Sequence, residues 1–237
     1  MSSRAQDLSP TAIRERILDA AEVCLIEFGY GARLHALIAE RAGLSRPTLY
    51  KYVGDQSQIF DALLQREIMR FFAVLDPVLR RRDRLPIGFV DCIVFAVGYA
   101  SRHPVLQKGL RDDPATVLSW FTVRSAPLIE RGAEFLVPHF ERMATGDRFA
   151  AAGPRVVSEW AFRLVASLIT TDGGVDTADE RALREFVNGL LSIGVVAAGE
   201  VVEPLLDDRE EEGDVLECLD AVPGRGNDQH VSGRALP

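Results

Sequence analysis

The chain has 237 residues, of which 47% are apolar and 26% charged, and its formal net charge is -8 at pH 7. This composition predicts a globular protein of one sizeable domain or two small ones, and it excludes a disordered, collagen-like or fibrous chain. The acidity is uneven, because residues 204–237 hold 9 acidic and 3 basic side chains whereas residues 1–71 hold 9 of each. The N-terminal part can therefore meet an anionic partner, and residues 204–237 are expected to form an acidic disordered tail.

The cysteines and the first residues indicate a protein of the cytoplasm. Cys24, Cys92 and Cys218 lie far apart without paired spacing, so neither a disulfide framework nor a thiolate metal site is expected. The longest apolar stretch, residues 85–100, is too short to span a bilayer. Residues 1–10 contain no apolar signal core and are expected to form a flexible N-terminus.

Apolar residues recur every three or four positions along residues 9–203, a spacing that predicts helices, whereas strand patterns are nearly absent. We therefore predict an all-α fold of about nine helices. They are expected from the Ser9-Pro10 start to Gly29, at 34–42, from Arg46 to the Gly54-Asp55 turn, and at about 57–82, 86–102, 104–111, 114–143, 152–171 and 178–201.

The second and third helices are separated only by the turn Gly43-Leu44-Ser45. Glycine followed by an apolar residue suits a Schellman closure, and Ser45 can cap a helix that tolerates Pro47 in its first turn. Two short helices joined by a tight glycine turn form the helix-turn-helix pattern. Residues 33–53 also carry four basic side chains against one acidic side chain. An anionic partner is therefore expected at this pair of helices.

The third helix is expected to bury Leu49 and Val53, which lie four residues apart. The residues expected to face outward are Arg46, Pro47, Thr48, Tyr50, Lys51 and Tyr52. Such a face suits a DNA groove, where Arg binds guanine, Thr and Pro contact thymine methyl groups, and Tyr and Lys reach phosphates. A surface helix with incidental charges is the alternative.

Three runs closely resemble the DNA-binding domain of the TetR family of bacterial transcriptional regulators. They are Phe28-Gly29-Tyr30, residues 38–53 and residues 59–63. The resemblance implies an all-helical homodimer, with DNA bound by residues 11–71 and a small effector bound by a dimerising domain at residues 72–203.

The resemblance also implies a set of DNA-binding residues. They are Arg33, Ser45, Arg46, Pro47, Thr48, Tyr50, Lys51 and Tyr52. The chain departs from the family at Arg33, where a small hydroxyl residue often caps the second helix, and at His35, where an apolar residue is usual. It also has Gln56 where a phosphate-binding lysine is common. Either the second helix begins differently or Arg33 binds phosphate, and the affinity for phosphate is expected to be lower unless Arg33 or Arg41 compensates.

Two groups of residues in the C-terminal part are candidates for an effector pocket. They are Asp91, Phe95 and Tyr99 on the fifth helix, near Cys92, and Trp120, Phe121 and Arg124 on the long central segment. The second group would offer an aromatic wall with a cation. Ordinary core packing is the alternative for both groups.

The last two helices are apolar on more than one face, so each needs cover on more than one face. A second copy of the chain would give a four-helix dimer interface, and a pair buried inside a monomer is the alternative. The interface residues expected are Trp160, Leu164, Leu168, Phe186, Leu190 and Ile193.

Enzyme and metal signatures are missing from the sequence. The four histidines never fall at metal-ligand spacing, and no glycine-rich phosphate loop, G-x-S-x-G or H-E-x-x-H occurs. We therefore expect no enzyme, metal or cofactor, but a cytoplasmic repressor that binds a palindromic DNA operator and is released by a small, largely apolar effector. The alternatives are a TetR-like activator without ligand response, and a helical small-molecule-binding or adaptor protein with weak or vestigial DNA binding.

Overall fold

The computed structural model describes residues 9–30, 33–144 and 152–196, and within them every regular element longer than one turn is an α-helix. There are ten helices in this part of the chain, and the expected all-α class is confirmed. Their bounds are α1 (Pro10–Phe28), α2 (Leu34–Ala42), α3 (Arg46–Val53), α4 (Gln56–Arg80), α5 (Leu85–Arg102), α6 (Pro104–Asp112), α7 (Pro114–Phe121), α8 (Ala126–Met143), α9 (Pro154–Thr170) and α10 (Glu180–Val196). Residues 204–237, with Cys218 and His230, lie outside the described residues.

The expectation of one helix over residues 114–143 is wrong, because this segment forms α7 and α8. Pro127 lies at the start of α8 and has no N–H to donate to the carbonyl of Val123 four residues earlier. Its ring would also clash with that carbonyl in a continuous helix. The chain turns here instead, and the N–H of Arg124 bonds to the carbonyl of Ser119 at 2.8 Å.

The apolar side chains form two core clusters. The first joins α1, α2, α3 and the N-terminal half of α4 with Val105 of α6 and with Val117 and Trp120 of α7. The second joins the C-terminal half of α4 with α5, α8, α9 and α10. Helix α4 has 25 residues, a length of about 37 Å, and contributes to both clusters. It therefore connects the N-terminal helices to the rest of the molecule.

Helix α5 is the central helix of the second cluster. Among the described helices it alone has the length and apolar composition to cross a membrane, and 78% of that stretch is buried inside the fold. Its buried charged residue, Asp91, accepts hydrogen bonds from Arg82 Nε at 2.5 Å and Arg184 Nη1 at 2.6 Å. The apolar character of α5 therefore reflects its place in a protein core.

Candidate nucleic-acid interface and internal cavity

The turn between α2 and α3 closes as the sequence predicts. Gly43 has a left-handed conformation, with φ of 62°, and Leu44 N–H bonds to the carbonyl of Ala39 at 2.9 Å. The Ser45 hydroxyl accepts the N–H of Thr48 at 3.2 Å and lies 2.7 Å from the Thr48 hydroxyl. These bonds fix the angle at which α3 leaves α2.

The outer face of α3 is open to solvent. Leu49 and Val53 are buried in the first core cluster, as predicted, whereas Arg46, Pro47 and Lys51 are exposed. Tyr50 is also exposed and Thr48 is half-buried, so the side of α3 that faces away from the first core cluster is accessible in the single chain.

Aromatic contacts constrain the two tyrosines of α3. Tyr50 is 53% exposed, and its ring stacks on that of His35 with centroids 4.3 Å apart. Burial lowers the pKa of His35, so this ring is neutral near pH 7. Tyr52 is half-buried against the first core cluster, and Lys51 Nζ lies 5.5 Å above its ring. Tyr52 is therefore less outward-facing than the sequence suggested.

Helix α2 receives its N-terminal cap from a distant residue. Arg33 occupies the cap position and makes no capping hydrogen bond with its side chain. Gln56 Oε1 instead accepts the N–H of Leu34 at 3.1 Å. The two departures from the family pattern therefore belong together: α2 has no hydroxyl cap at Arg33, and Gln56, which stands where a lysine is common, supplies the cap. This role of Gln56 was not found from the sequence.

The basic side chains near α3 differ in how they are paired. Arg41 binds Glu27 with two hydrogen bonds, at 2.9 and 2.7 Å, so its charge is largely balanced. Within the described residues no carboxylate lies in ion-pair distance of Arg33, Arg46 or Lys51. The positive charge of this surface therefore comes from these three residues and not from Arg41.

A cavity of about 210 Å³ lies between the two core clusters. Its wall includes Leu25, Tyr30 and Phe60 from the first cluster and Leu75 and Leu136 from the second. The cavity therefore lies at the junction through which α4 joins the N-terminal helices to the C-terminal helices.

The candidate effector residues divide into two groups. Tyr99, Trp120 and Phe121 line the cavity. Asp91, Phe95 and Arg124 are not among the residues that line it.

Each of these three residues has another place in the fold. Asp91 is held by its two arginines, and Arg124 is exposed and pairs with Asp61 of α4 at 2.9 Å. Phe95 is fully buried, and its ring lies next to those of Phe71 and Tyr99. The sequence pattern placed Asp91 and Phe95 on the right helix but could not tell which side of it meets the cavity. It placed Arg124 on a helix, whereas this residue lies in the turn between α7 and α8.

Glu67 and His103 form the polar part of the cavity wall, and sequence analysis missed both. Glu67 Oε2 lies 3.2 Å from His103 Nε2, and His103 Nδ1 accepts the N–H of Leu106 at 3.3 Å. Because Nδ1 accepts a hydrogen bond, the proton of the ring lies on Nε2. Nε2–H therefore donates a hydrogen bond to the Glu67 carboxylate. Burial would raise the pKa of Glu67, but the His103 hydrogen bond and the charge of Arg70 outweigh it and hold this pKa below its usual value.

Glu67 also belongs to an ion-pair cluster that joins α4 to α1. Arg66 binds Asp19 at 2.7 Å and Glu22 at 2.8 Å, and Arg70 binds Glu22 at 3.1 Å and Glu67 at 2.8 Å. The polar wall of the cavity is therefore connected to the first helix of the N-terminal domain.

Helices α9 and α10 show the two apolar faces that the sequence predicts. Phe162, Val165 and Ile169 line the internal cavity. On the opposite side Trp160 is 45% and Leu190 is 40% exposed.

The other predicted interface residues lie on or near this outer face. Phe186 is exposed, and Leu164 and Leu168 are half-buried; Leu164 lines a shallow groove that also includes Trp160 and Leu190. The side chain of Ile193 lies outside the described residues. In the open part of this surface Gly189 has no atom within 4 Å of an added Cβ.

No group of three or more His, Cys, Asp or Glu residues is arranged to hold a metal ion in residues 9–30, 33–144 and 152–196. The two cysteines in these ranges, Cys24 and Cys92, are buried and free. Burial raises the pKa of Cys92 to about 12, so this thiol is not reactive at neutral pH.

Comparison with known proteins gives consistent results. Residues 17–63 match the family model described as "Bacterial regulatory proteins, tetR family". The chain is 27% identical over 216 residues to the "Uncharacterized HTH-type transcriptional regulator Rv1255c" of Mycobacterium tuberculosis, covering 86% of this chain and 96% of the relative. It is 28% identical over 130 residues to the "HTH-type transcriptional repressor AcnR" of Corynebacterium glutamicum, covering 53% of this chain and 64% of the relative.

Among solved structures, the chain is similar to the TetR family repressor AlkX from Dietzia sp. strain DQ12-45-1b, implicated in biodegradation of n-alkanes. The TM-score is 0.56 at 23% identity, with 80% of this chain and 97% of that chain covered. At this identity the likeness concerns the fold, and it extends over the C-terminal helices as well as the N-terminal domain.

Proposed function

We propose that this chain, a TetR-family transcriptional regulator, acts as a dimeric repressor that leaves its DNA operator when a small, largely apolar effector binds. The family resemblance predicted from the sequence is confirmed by the match over residues 17–63 and by the relatives, which are regulators and not enzymes. Repression, dimerisation, the operator and the effector are the proposed parts. The cytoplasm is the proposed place of action.

The open face of α3 is the observation that carries the proposal. A capped helix whose exposed side presents Arg46, Thr48, Tyr50 and Lys51 can enter a major groove with its first turn against the bases. Thr48 is oriented by its bond to Ser45, and Tyr50 by its stack on His35. These positions are therefore ordered before DNA binds, which lowers the entropic cost of recognition.

The exposed apolar surface of α9 and α10 supports a dimer. Trp160 and Leu190 are large apolar side chains on one surface, and patches of this kind commonly mark protein interfaces. A two-fold dimer would present two copies of α3 separated by about 34 to 36 Å, one turn of DNA, or by a multiple of that distance. Such a dimer matches a palindromic operator.

The position of the cavity supports control by a ligand. A ligand in the cavity would contact α4 between the two core clusters, next to the ion pairs that join α4 to α1. A shift of α4 would change the separation of the two α3 helices. Effector and operator would then disfavour each other by a coupling free energy of about 1–3 kcal/mol.

Genome-wide selection of bound DNA fragments tests the proposal. Purified protein is mixed with sheared DNA of the source organism, and the retained fragments are sequenced. We expect a few fragments with an inverted repeat whose half-site centres lie about 10 base pairs, or a multiple, apart. Recovery of fragments in proportion to their input would contradict specific operator binding.

A helical effector-binding protein with weak DNA binding is the second candidate. It is favoured by Gln56, which caps α2 where a phosphate-binding lysine is usual, and by Arg41, which is neutralised by Glu27. Salt distinguishes the two functions, because neutralised phosphates make DNA affinity fall steeply as salt rises. Weak binding that does not change between about 50 and 200 mM salt would favour the second candidate.

A further inference from the structure

Gly132 lies in the interior of α8, where neither its backbone nor its packing requires a glycine. Among the described glycines the left-handed backbone conformation occurs at Gly29, Gly43, Gly54 and Gly153, and not at Gly132. A glycine inside a helix is less favourable than an alanine, because it loses more conformational freedom on folding. The conformation of α8 therefore gives no reason for a glycine at this position.

The surroundings of Gly132 differ from those of a closely packed helical glycine. A Cβ atom added at Gly109 of α6 would lie 2.6 Å from Val117 Cγ2, so a neighbouring helix occupies the space there. A Cβ atom added at Gly132 has no atom of the described residues within 4 Å, outside the helix backbone around it. Gly132 therefore leaves a space open and does not make room for a neighbour.

The open space beside Gly132 belongs to the internal cavity. Leu128, Gly132 and Leu136 all line this cavity and follow each other at steps of four residues along α8. Positions four residues apart lie on the same face of a helix, so a side chain at position 132 would project between Leu128 and Leu136 into the cavity. The missing side chain of Gly132 therefore enlarges the cavity.

The wall of the cavity is almost entirely apolar, and this limits what the space can hold. Among the described lining residues Glu67 and His103 are the ones with carboxylate or imidazole groups. They bind each other, and Glu67 also pairs with Arg70 at 2.8 Å. An ion in the cavity would lose its hydration without gaining an unpaired counter-ion, so an uncharged molecule is favoured.

We propose that the effector is an uncharged, compact apolar molecule whose body occupies the space beside Gly132, so that residue 132 sets the size of the effector. This inference rests on the proposed function in that the cavity is taken as the effector site. A dry apolar cavity of about 150 Å³ takes up benzene. The 210 Å³ cavity has room for a somewhat larger molecule.

Benzene and tert-butylbenzene test the size of the space. Calorimetry on the full chain without DNA should show tert-butylbenzene binding at least about tenfold more tightly than benzene, because its additional methyl groups are also buried. A wild type that binds neither probe, or that binds both equally, would overturn the proposal.

Gly132→Leu assigns the preference to one residue. The leucine side chain would fill the space that the tert-butyl group needs, so this variant should bind benzene at least as tightly as tert-butylbenzene. A general disturbance of the fold would weaken the binding of both probes and would not reverse their order. A Gly132→Leu protein that keeps the preference of the wild type would show that the space beside Gly132 is not used.

Charged molecules of similar size test the second part of the proposal. Phenyltrimethylammonium has the shape of tert-butylbenzene and carries a positive charge, and benzenesulfonate carries a negative charge. Each ion should bind the wild type at least about tenfold more weakly than tert-butylbenzene, because burial removes its hydration. Binding of either ion as tight as that of tert-butylbenzene would contradict an uncharged effector.

Gly132→Ala covers the case in which the leucine variant does not fold. Its Tm should rise, because alanine favours a helix and the added Cβ meets no neighbour. Its affinity for tert-butylbenzene should fall about fourfold, the effect of the space of one CH₂ group, and its affinity for benzene should not change. A lower Tm, or an unchanged affinity for tert-butylbenzene, would overturn the proposal.

Gly189→Ala is the matched control for the alanine variant. Gly189 also lies inside a helix, α10, and an added Cβ there has no atom of the described residues within 4 Å, but Gly189 does not line the cavity. This variant should bind both hydrocarbons as the wild type does, and a fourfold loss here too would contradict the assignment to Gly132. None of these measurements contains DNA, so a failure here leaves the result of fragment selection unaffected, and the reverse is also true.

Discussion

At the scale of single residues, Gln56 satisfies a backbone donor that α2 cannot satisfy by itself. The first N–H groups of a helix have no partner within the helix, and the residue at the cap position, Arg33, has no acceptor to offer. Gln56 reaches the N–H of Leu34 from the start of α4. The same contact holds α2, and with it the turn to α3, against α4.

Replacing Gln56 by leucine is expected to lower the free energy of unfolding by about 1 kcal/mol, the usual cost of a lost helix cap. Urea unfolding measures the change, and hydrogen exchange at the Leu34 amide should become faster. Gln56→Glu is the matched control, because it keeps an acceptor oxygen and adds a charge that suits a helix N-terminus. A leucine variant as stable as the glutamate variant would show that the cap contributes nothing.

The sequence predicted those features of the α2–α3 region that depend on nearby residues. It missed the cap that Gln56 supplies from the start of α4. Gly43, Ser45, Leu49 and Val53 follow from neighbours within a few residues, so their roles were accessible to periodicity and capping rules. Gln56 and Leu34 are 22 residues apart, and their bond depends on how α4 packs against α2. Comparison with the family motif marked Gln56 as unusual but did not reveal its partner.

At the scale of helices, α4 connects most of the functional features. Its N-terminal half packs with α1, α2 and α3 and its C-terminal half with α5, and its middle carries Glu67 in the cavity wall. The sequence predicted this helix to within two residues at each end. It could not predict the cavity, because a cavity is formed by the spacing of several helices and not by any one of them.

Glu67 of α4 makes the stability of the fold depend on pH in the acid range. Its pKa is held below the ordinary value of 4.5, so the carboxylate stabilises the fold above that pH, and this contribution is lost as the pH falls through the lowered pKa. The free energy of unfolding of Glu67→Gln should therefore fall less than that of the wild type between about pH 5 and pH 3. Urea unfolding at several pH values measures this difference. Glu15→Gln removes an exposed carboxylate of the same cluster and serves as the control. If the free energy of unfolding of Glu67→Gln changes with pH as steeply as that of the wild type, the assigned role of Glu67 is contradicted.

At the scale of the whole molecule, the two apolar faces of α9 explain why the periodicity of the sequence left two interpretations open. These were a dimer interface and a helix pair buried inside a monomer. One face lines the internal cavity, which the fold of a single chain supplies, and the other face, with Trp160, is open. The sequence indicated that both faces need cover. It did not separate the face covered by the chain from the face that we assign to a second copy.

A charge on the open face tests the dimer. Leu190 is exposed in the single chain, so Leu190→Glu should fold normally and yet sediment as a monomer at concentrations where the wild type sediments as a dimer. Val123→Glu is the matched control, because Val123 is 89% exposed, lies in the turn between α7 and α8 and is not one of the predicted interface residues. A wild type that sediments as a monomer, or a Leu190→Glu protein that stays dimeric, would contradict the assigned interface.

The central claim is that the exposed face of α3 binds DNA, and the affinity of a Tyr50→Ala, Lys51→Ala double variant for the selected operator tests it most directly. Each lost contact should cost about 1 kcal/mol or more, so fluorescence anisotropy should show affinity at least about 30-fold weaker than that of the wild type. Arg80→Ala controls for the lost charge, because Arg80 lies in the last turn of α4, about 36 Å along that helix from Gln56. We predict near wild-type affinity for Arg80→Ala; a double variant that binds as tightly as the wild type would show that α3 is not the DNA-binding surface.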